Sequence, residues 1–182
     1  MIFREAEDRD LVLKARRGNV DAYNVLISRW ERRVFHYLLR LVRSREDAED
    51  LNQDVFLKGY QRLKDLDDPG RFAPWIFRIA HNEAFSLLRK RKPEVEPVLD
   101  PAVRDTVPRL YPVDAALAVE AALARLPDEQ REAVVLKVYE GFKFHEMAEI
   151  LNCPESTIKS RLYTGLERLK EVLAPLNARN PQ

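Results

Sequence analysis

The chain has 182 residues, 46% of them apolar, which suits one domain or two small ones with packed cores. Thirty-one Lys and Arg against 30 Asp and Glu leave a net charge of +1, which excludes a globally basic nucleic-acid binder and confines any such role to local patches. The single cysteine, Cys153, excludes an internal disulfide framework and a thiolate metal cluster, and suits a reducing compartment.

No apolar run approaches the ~20 residues needed to cross a bilayer. The start, MIFREAEDRDL, is too charged for a signal peptide, so a cytoplasmic protein without membrane insertion is expected. Few glycines, many Ala, Leu, Glu, Arg and Lys, and few alternating runs predict an all-α fold.

A short helix is expected over Asp8–Arg17, stopped by Gly18-Asn19. Asp21 reads as the N-cap of a long helix to about Val42, with Tyr23, Leu26, Ile27, Trp30, Val34, Tyr37, Leu38 and Leu41 forming an apolar stripe. The opposite face carries Arg29, Arg32, Arg33, Arg40 and Arg43, and reads equally well as a solvated face or a binding surface. Ser44, with Asp47 three residues on, begins a helix whose buried side is Ala48, Leu51, Val55, Phe56 and Gly59. Its exposed side is acidic, and Asp54 lies too far along for a helix-dipole explanation.

A loop over 65–74 then leads into WIFRIAHNEAFSLLRKRK. Trp75, Ile76, Ile79, Ala80, Leu87 and Leu88 form the core stripe of this helix, leaving Arg78, His81, Asn82, Phe85 and Arg89 outside it. Aromatic rings that can stack on bases, followed by the cations Arg89, Lys90, Arg91 and Lys92, fit single-stranded as well as duplex nucleic acid. Read alone, the same stretch better fits an amphipathic core helix with basic residues at its C-terminus.

Five of the eleven prolines fall within 93–112, which predicts an extended linker between two small domains. In the second half, helices are expected over Asp114–Arg125 and over 128–139, the latter burying Val134, Val135 and Val138 and ending at Gly141. Phe144, Met147, Ala148 and Leu151, the turn residues Asn152 and Cys153, and the stripe Ile158, Leu162, Leu166, Leu169 and Leu173 together read as helix-turn-helix. Asn152 stands where positive φ is needed. Ser156, Thr157, Lys159, Ser160, Arg161, Tyr163 and Thr164 form the outer face of the second helix, with donors and cations suited to base edges and phosphates in a major groove. A plain αα-hairpin in a bundle is the alternative.

Catalytic and metal readings fail at the level of spacing. His145-Glu146 begins an HExxH pattern, but Glu149 occupies the second histidine position. His36 and His81 have no partner at ligand spacing, and no phosphate-binding glycine loop or nucleophile elbow occurs. Neither cofactor nor metal is expected.

Two stretches in this order carry a family resemblance. DAEDLNQDVFLKGY at 47–60 with GRFAPWIFRIAHNEAFSLLRKRK resembles region two of the bacterial sigma-70-type sigma factors, and LPDEQREAVVLKVYEGFKFHEMAEILNCPESTIKSRLYTGLERLKE at 126–171 resembles their region four. Two domains joined only by a linker resemble the extracytoplasmic-function (ECF) subgroup. The resemblance implies a region-two domain over 1–92, a linker over 93–112 and a region-four domain over 113–182. It also implies a non-enzymatic factor that brings core RNA polymerase to promoters and helps melt them.

Under that resemblance Asp50, Gln53 and Asp54 would contact the clamp helices of the polymerase largest subunit. Arg71, Phe72, Trp75, Arg78, Asn82, Arg89, Lys90, Arg91 and Lys92 would serve the −10 element. The outer face from Ser156 to Thr164 would serve the −35 element, with region four also meeting the polymerase flap. An anti-sigma factor is implied as a further partner, and the free chain is expected to be a monomer. Ala73 and Pro74 replace hydroxyl residues common in the family, which points to an altered −10 preference. The rival expectation is a dimeric helix-turn-helix regulator reading a palindrome.

Overall fold

The computed structural model describes residues 6–91 and 113–177. Their regular structure is helical throughout. In the first half α1 spans Asp8–Arg16, α2 Val20–Val42, α3 Arg45–Gln61 and α4 Phe72–Lys90. In the second, α5 spans Val113–Leu123, α6 Asp128–Val134, α7 Phe144–Leu151 and α8 Glu155–Asn177. The predicted linker and Lys92 lie outside the described residues.

The first half is a bundle around α2. Leu11, Val12 and Ala15 of α1 are buried against it, and Arg16 ties α1 to the loop after α3 by donating to the carbonyl oxygens of Leu63 (3.1 Å) and Leu66. The N-cap of α2 is Asn19 rather than Asp21: its side-chain oxygen accepts from the Ala22 backbone N–H at 2.9 Å. Asn19 has the extended backbone that aims a side chain over the first turn, whereas Asp21 is already helical. Ser44 caps α3 as expected, accepting from the Asp47 N–H at 3.3 Å.

Gly59 lets α3 approach both α2 and α4. A Cβ there would lie 2.7 Å from Tyr23 Oη and 2.8 Å from Ile76 Cδ1. Tyr23 cannot easily yield, because it is buried and its hydroxyl donates to the Phe56 carbonyl oxygen at 2.6 Å. Gly59→Ala is therefore expected to cost about 1–3 kcal/mol through overpacking, seen as a lower midpoint in thermal denaturation.

In the second half α6 and α7 pack on α8, with α5 alongside. The helix expected over 128–139 changes character after Val134, where Val135–Tyr139 forms a π-type turn. The wider turn shifts the facing of later residues, so Val135 and Leu136 are buried while Val138 is 59% exposed, contrary to expectation. The inner stripe of α8 uses Ile158, Leu162 and Leu169; Leu166 faces outward. Gly165 takes the crossing with α6, where a Cβ would lie 3.2 Å from Val134 Cγ2 and 3.3 Å from the Gln130 carbonyl oxygen.

The two halves are docked, and their buried residues form one continuous core. The C-terminal turn of α2 explains how. Its carbonyls lack helical partners, and arginines supply them from three places: Arg91 of the first half donates to Val42 at 3.1 Å, Arg131 of α6 donates to Leu41 at 3.1 Å, and the backbone N–H of Arg43 donates to Leu39 at 2.9 Å. Arg43 adopts the left-handed conformation, φ +59°, and its side chain reaches the Ala124 carbonyl oxygen just beyond α5, at 3.2 Å. Each half thus places a cation on a helix C-terminus of the other, where the macrodipole favours it.

Further along the interface Arg40 pairs with Glu120 at 3.2 Å, and its guanidinium lies over the Tyr139 ring at 4.0 Å. Arg33 binds Glu140 at 3.0 Å. Burial raises the carboxyl pKa of Glu120 and Glu140, with Arg40 and Arg33 respectively opposing the shift. The cationic face of α2, left open between solvent and partner, is in large part the seat of the second half. Phe77 and Ala84 of α4, which lie outside its predicted stripe, are also buried, Phe77 with its ring 4.9 Å from that of Phe142 in the second half.

Candidate nucleic-acid interface

Short local signals assemble the loop before α4. Asp68 Oδ1 accepts from the Gly70 N–H at 2.9 Å, and Pro69 opens a one-turn 3₁₀ helix, Pro69–Arg71, that runs into α4. Between this loop and α4 lies a cleft of about 470 Å³. Arg62, Arg71, Arg78, Trp75 and Asn82 line it together with Asp65, Asp67 and Asp68, so its walls offer cations, an aromatic ring and an amide.

Of the proposed −10 residues, Arg71, Trp75, Arg78, Asn82, Arg89 and Lys90 are at least partly accessible on this side of the protein or at the end of α4. Trp75 is half-buried, and its ring tilts against Phe72 with centroids 5.9 Å apart. Phe72 is fully buried, so it backs the Trp75 ring from the core instead of presenting a face for stacking. Arg91 is also committed inward: it forms an ion pair with Asp47 besides its bond to Val42, which pins the end of α4 to the start of α3. Arg89 and Lys90 are the exposed cations of that last turn. His81, read as outside the core stripe, is turned toward the second half, with Nδ1 2.7 Å from Glu132 Oε1.

On α7 and α8 the helix-turn-helix geometry is complete. Asn152 adopts φ +48°, the left-handed cap that separates the two helices. Ser156, Lys159, Ser160, Tyr163 and Thr164 are exposed, and Thr157 and Arg161 partly so. Two of the cations have carboxylate neighbours: Arg161 pairs with Glu129 at 2.9 Å, and Lys159 lies 3.6 Å from Glu155 and 5.1 Å from the Phe144 ring centroid. Burial raises the Cys153 thiol pKa, with Arg161 opposing the shift. Among the described residues no cluster of His, Cys, Asp and Glu could hold a metal ion.

Asp50, Gln53 and Asp54 are exposed along α3. Beside them lies an apolar groove of about 440 Å³ between α2 and α3, lined by Val20, Ile27, Phe56, Leu57 and Tyr60 as well as Gln53. Leu57 is 57% exposed and Val20 53% exposed. Sequence reading missed this groove, although Leu57 and Tyr60 fall off the buried stripe of α3 and were a usable signal.

Helical bundle, loop cleft and helix-turn-helix in this order define the sigma-70 class. Residues 26–94 match the Sigma-70 region 2 model and residues 116–169 match Sigma-70, region 4. The ECF RNA polymerase sigma factor SigM of Mycobacterium tuberculosis is 33% identical, over 95% of this chain and 88% of its own length. The ECF RNA polymerase sigma-E factor of Haemophilus influenzae is 31% identical, over 93% of this chain and 96% of its own. The solved structure of CnrH in complex with the cytosolic domain of CnrY superposes with a TM-score of 0.71 at 25% identity, covering 92% of this chain and 97% of that one. The chain belongs to the ECF RNA polymerase sigma factors. Among the described residues no helix is long and apolar enough to cross a membrane.

Proposed function

We propose that this ECF sigma factor binds core RNA polymerase through the acidic face of α3 and the adjoining apolar groove. It reads the −10 element with the cleft before α4 and the −35 element with the outer face of α8. The chain performs no catalysis of its own; phosphodiester chemistry belongs to the polymerase, beside which it works in the cytoplasm. The observation supporting this division of labour is that the acidic face and the α8 face lie on separate elements, both exposed.

The cleft has the materials for holding an unstacked base. Extruding a base costs a few kcal/mol, which stacking of ~1–3 kcal/mol on Trp75 and hydrogen bonds from Asn82 and the arginines offset. Ala73 and Pro74 add no side-chain donor, so recognition falls to Arg71, Arg78, Asn82 and backbone groups. Docking onto the clamp helices of the largest subunit matches acid and apolar surface to a helical partner. Because both halves are held on one enzyme, the two promoter contacts become effectively intramolecular. An anti-sigma factor is a further partner.

The direct test is transcription in vitro with core polymerase and genomic DNA, mapping chain-dependent start sites. Discrete starts that share upstream elements are expected; their absence would remove the sigma reading. In the same system Lys159→Ala and Arg161→Ala should each weaken −35 binding and reduce its salt slope by about one for each phosphate no longer neutralised. An unchanged slope would mark both as bystanders.

A further inference from the structure

One wall of the −10 cleft is a loop, and a loop reads a base only as precisely as it is held. Two short 3₁₀ turns, Leu63–Asp65 and Pro69–Arg71, frame it. Leu63 and Leu66 are buried, while Asp65, Asp67 and Asp68 are exposed and line the cleft together with Leu66. The loop's own hydrogen bonds are local. The Asp65 N–H donates to the Arg62 carbonyl oxygen and the Arg71 N–H to that of Asp68, each at 2.9 Å. Bonds of this span shape turns but do not fix the loop against the bundle.

Arg16 does so from α1. Its Nε donates to the Leu63 carbonyl oxygen at 3.1 Å and its Nη2 to that of Leu66, 47 and 50 residues away in the chain. The planar guanidinium sets both carbonyls at once, which a lysine ammonium, a point charge without a rigid fork, does not. The second acceptor belongs to a residue that itself lines the cleft. In addition α1 packs on the turn Pro69–Arg71. It is anchored in its own right: Leu11 and Val12 are fully buried, and the Asp8 carboxylate accepts from Arg29 and from Trp30 Nε1, each at 2.8 Å. A strut therefore runs from α2 through α1 to the cleft wall. All of α1 lies ahead of the residues that match the Sigma-70 region 2 model, which begin at 26.

We propose that Arg16 is a positioning residue for −10 recognition. By gripping Leu63 and Leu66 it holds the loop at a set distance from Trp75 and Asn82 on α4, so the strand meets a preorganised cleft. Arg16 does not line the cleft and acts through the loop. The inference rests on the reading of this cleft as the −10 site.

The test uses holoenzyme assembled from core polymerase and the full chain, on a promoter found by mapping start sites on genomic DNA. One library randomises its −10 element and another its −35 element, and transcript sequencing reads both preferences. Arg16→Lys keeps the cation and the aliphatic stem but loses the fork. It is expected to shrink the ratio between the best and worst −10 sequences by about 10-fold, as loss of one charge-assisted hydrogen bond would. The −35 preference and the affinity for core polymerase should be unchanged. Arg16→Ala should flatten the −10 preference at least as far. A −10 preference retained by Arg16→Lys overturns the proposal, and so does a loss in which −35 preference and core affinity fall alongside. Asn82→Ala checks the cleft itself. Flattening there with none at Arg16 removes the positioning role and leaves the cleft reading intact; flattening at neither residue removes both.

Discussion

Reversing Asp50 and Asp54 together to lysine should lower affinity for core polymerase by about 10- to 100-fold, or ~1.4–2.7 kcal/mol, without changing the thermal midpoint of the free chain. Both carboxylates are exposed on α3, so neither packs in the core nor serves a buried partner. The apolar groove beside them gives an independent handle: Leu57→Asp should act in the same direction, because Leu57 is 57% exposed and so free of the core. Binding to labelled core polymerase is the measurement. Unchanged affinity in both variants would place the docking surface elsewhere.

Arg131→Ala should be the most destabilising single substitution at the interface. The side chain is 3% exposed and donates to the carbonyls of Leu41 (3.1 Å) and Leu126 (3.3 Å), besides pairing with Asp128. Burial lowers its pKa, with Asp128 opposing the shift, so the guanidinium is already held at a cost that only its partners offset. Truncation leaves buried carbonyls without donors, including one on the last turn of α2. Breaking such a network costs about 3–5 kcal/mol. For a chain of this size that is a fall of roughly 6–20 °C in Tm if the halves melt together. Differential scanning calorimetry would also report whether they do: loss of the Arg131 tie should split the transition as the halves uncouple. A single unshifted transition would show that docking does not depend on this residue.

Much of the local structure was legible from residue spacing. The apolar stripes of α2 and α3, the Ser44 cap and the positive φ of Asn152 follow from periodicity and backbone sterics, which act over a few residues. So did the exposure of Asp50, Gln53 and Asp54 and of the outer face of α8, since a charged or hydroxyl residue off a helical stripe has little choice but solvent or a partner. The N-cap of α2 was misplaced by two residues, because Asn19 and Asp21 are both competent caps and only the backbone at Asn19 separates them.

What the sequence alone determined is the class of the chain: an all-helical protein with a region-two bundle and a region-four helix-turn-helix. That information is local and repeats with the helical period. The tertiary structure decided which polar residues are spent inside the molecule. Arg40, Arg43, Arg91 and Arg131 look in sequence like solvated or phosphate-seeking cations, yet each meets a carbonyl or carboxylate distant in the chain. Phe72 looks like a stacking residue and is core. Such pairings join residues 44 to 90 positions apart. No periodicity encodes them, because they depend on how one helix end meets another half of the protein.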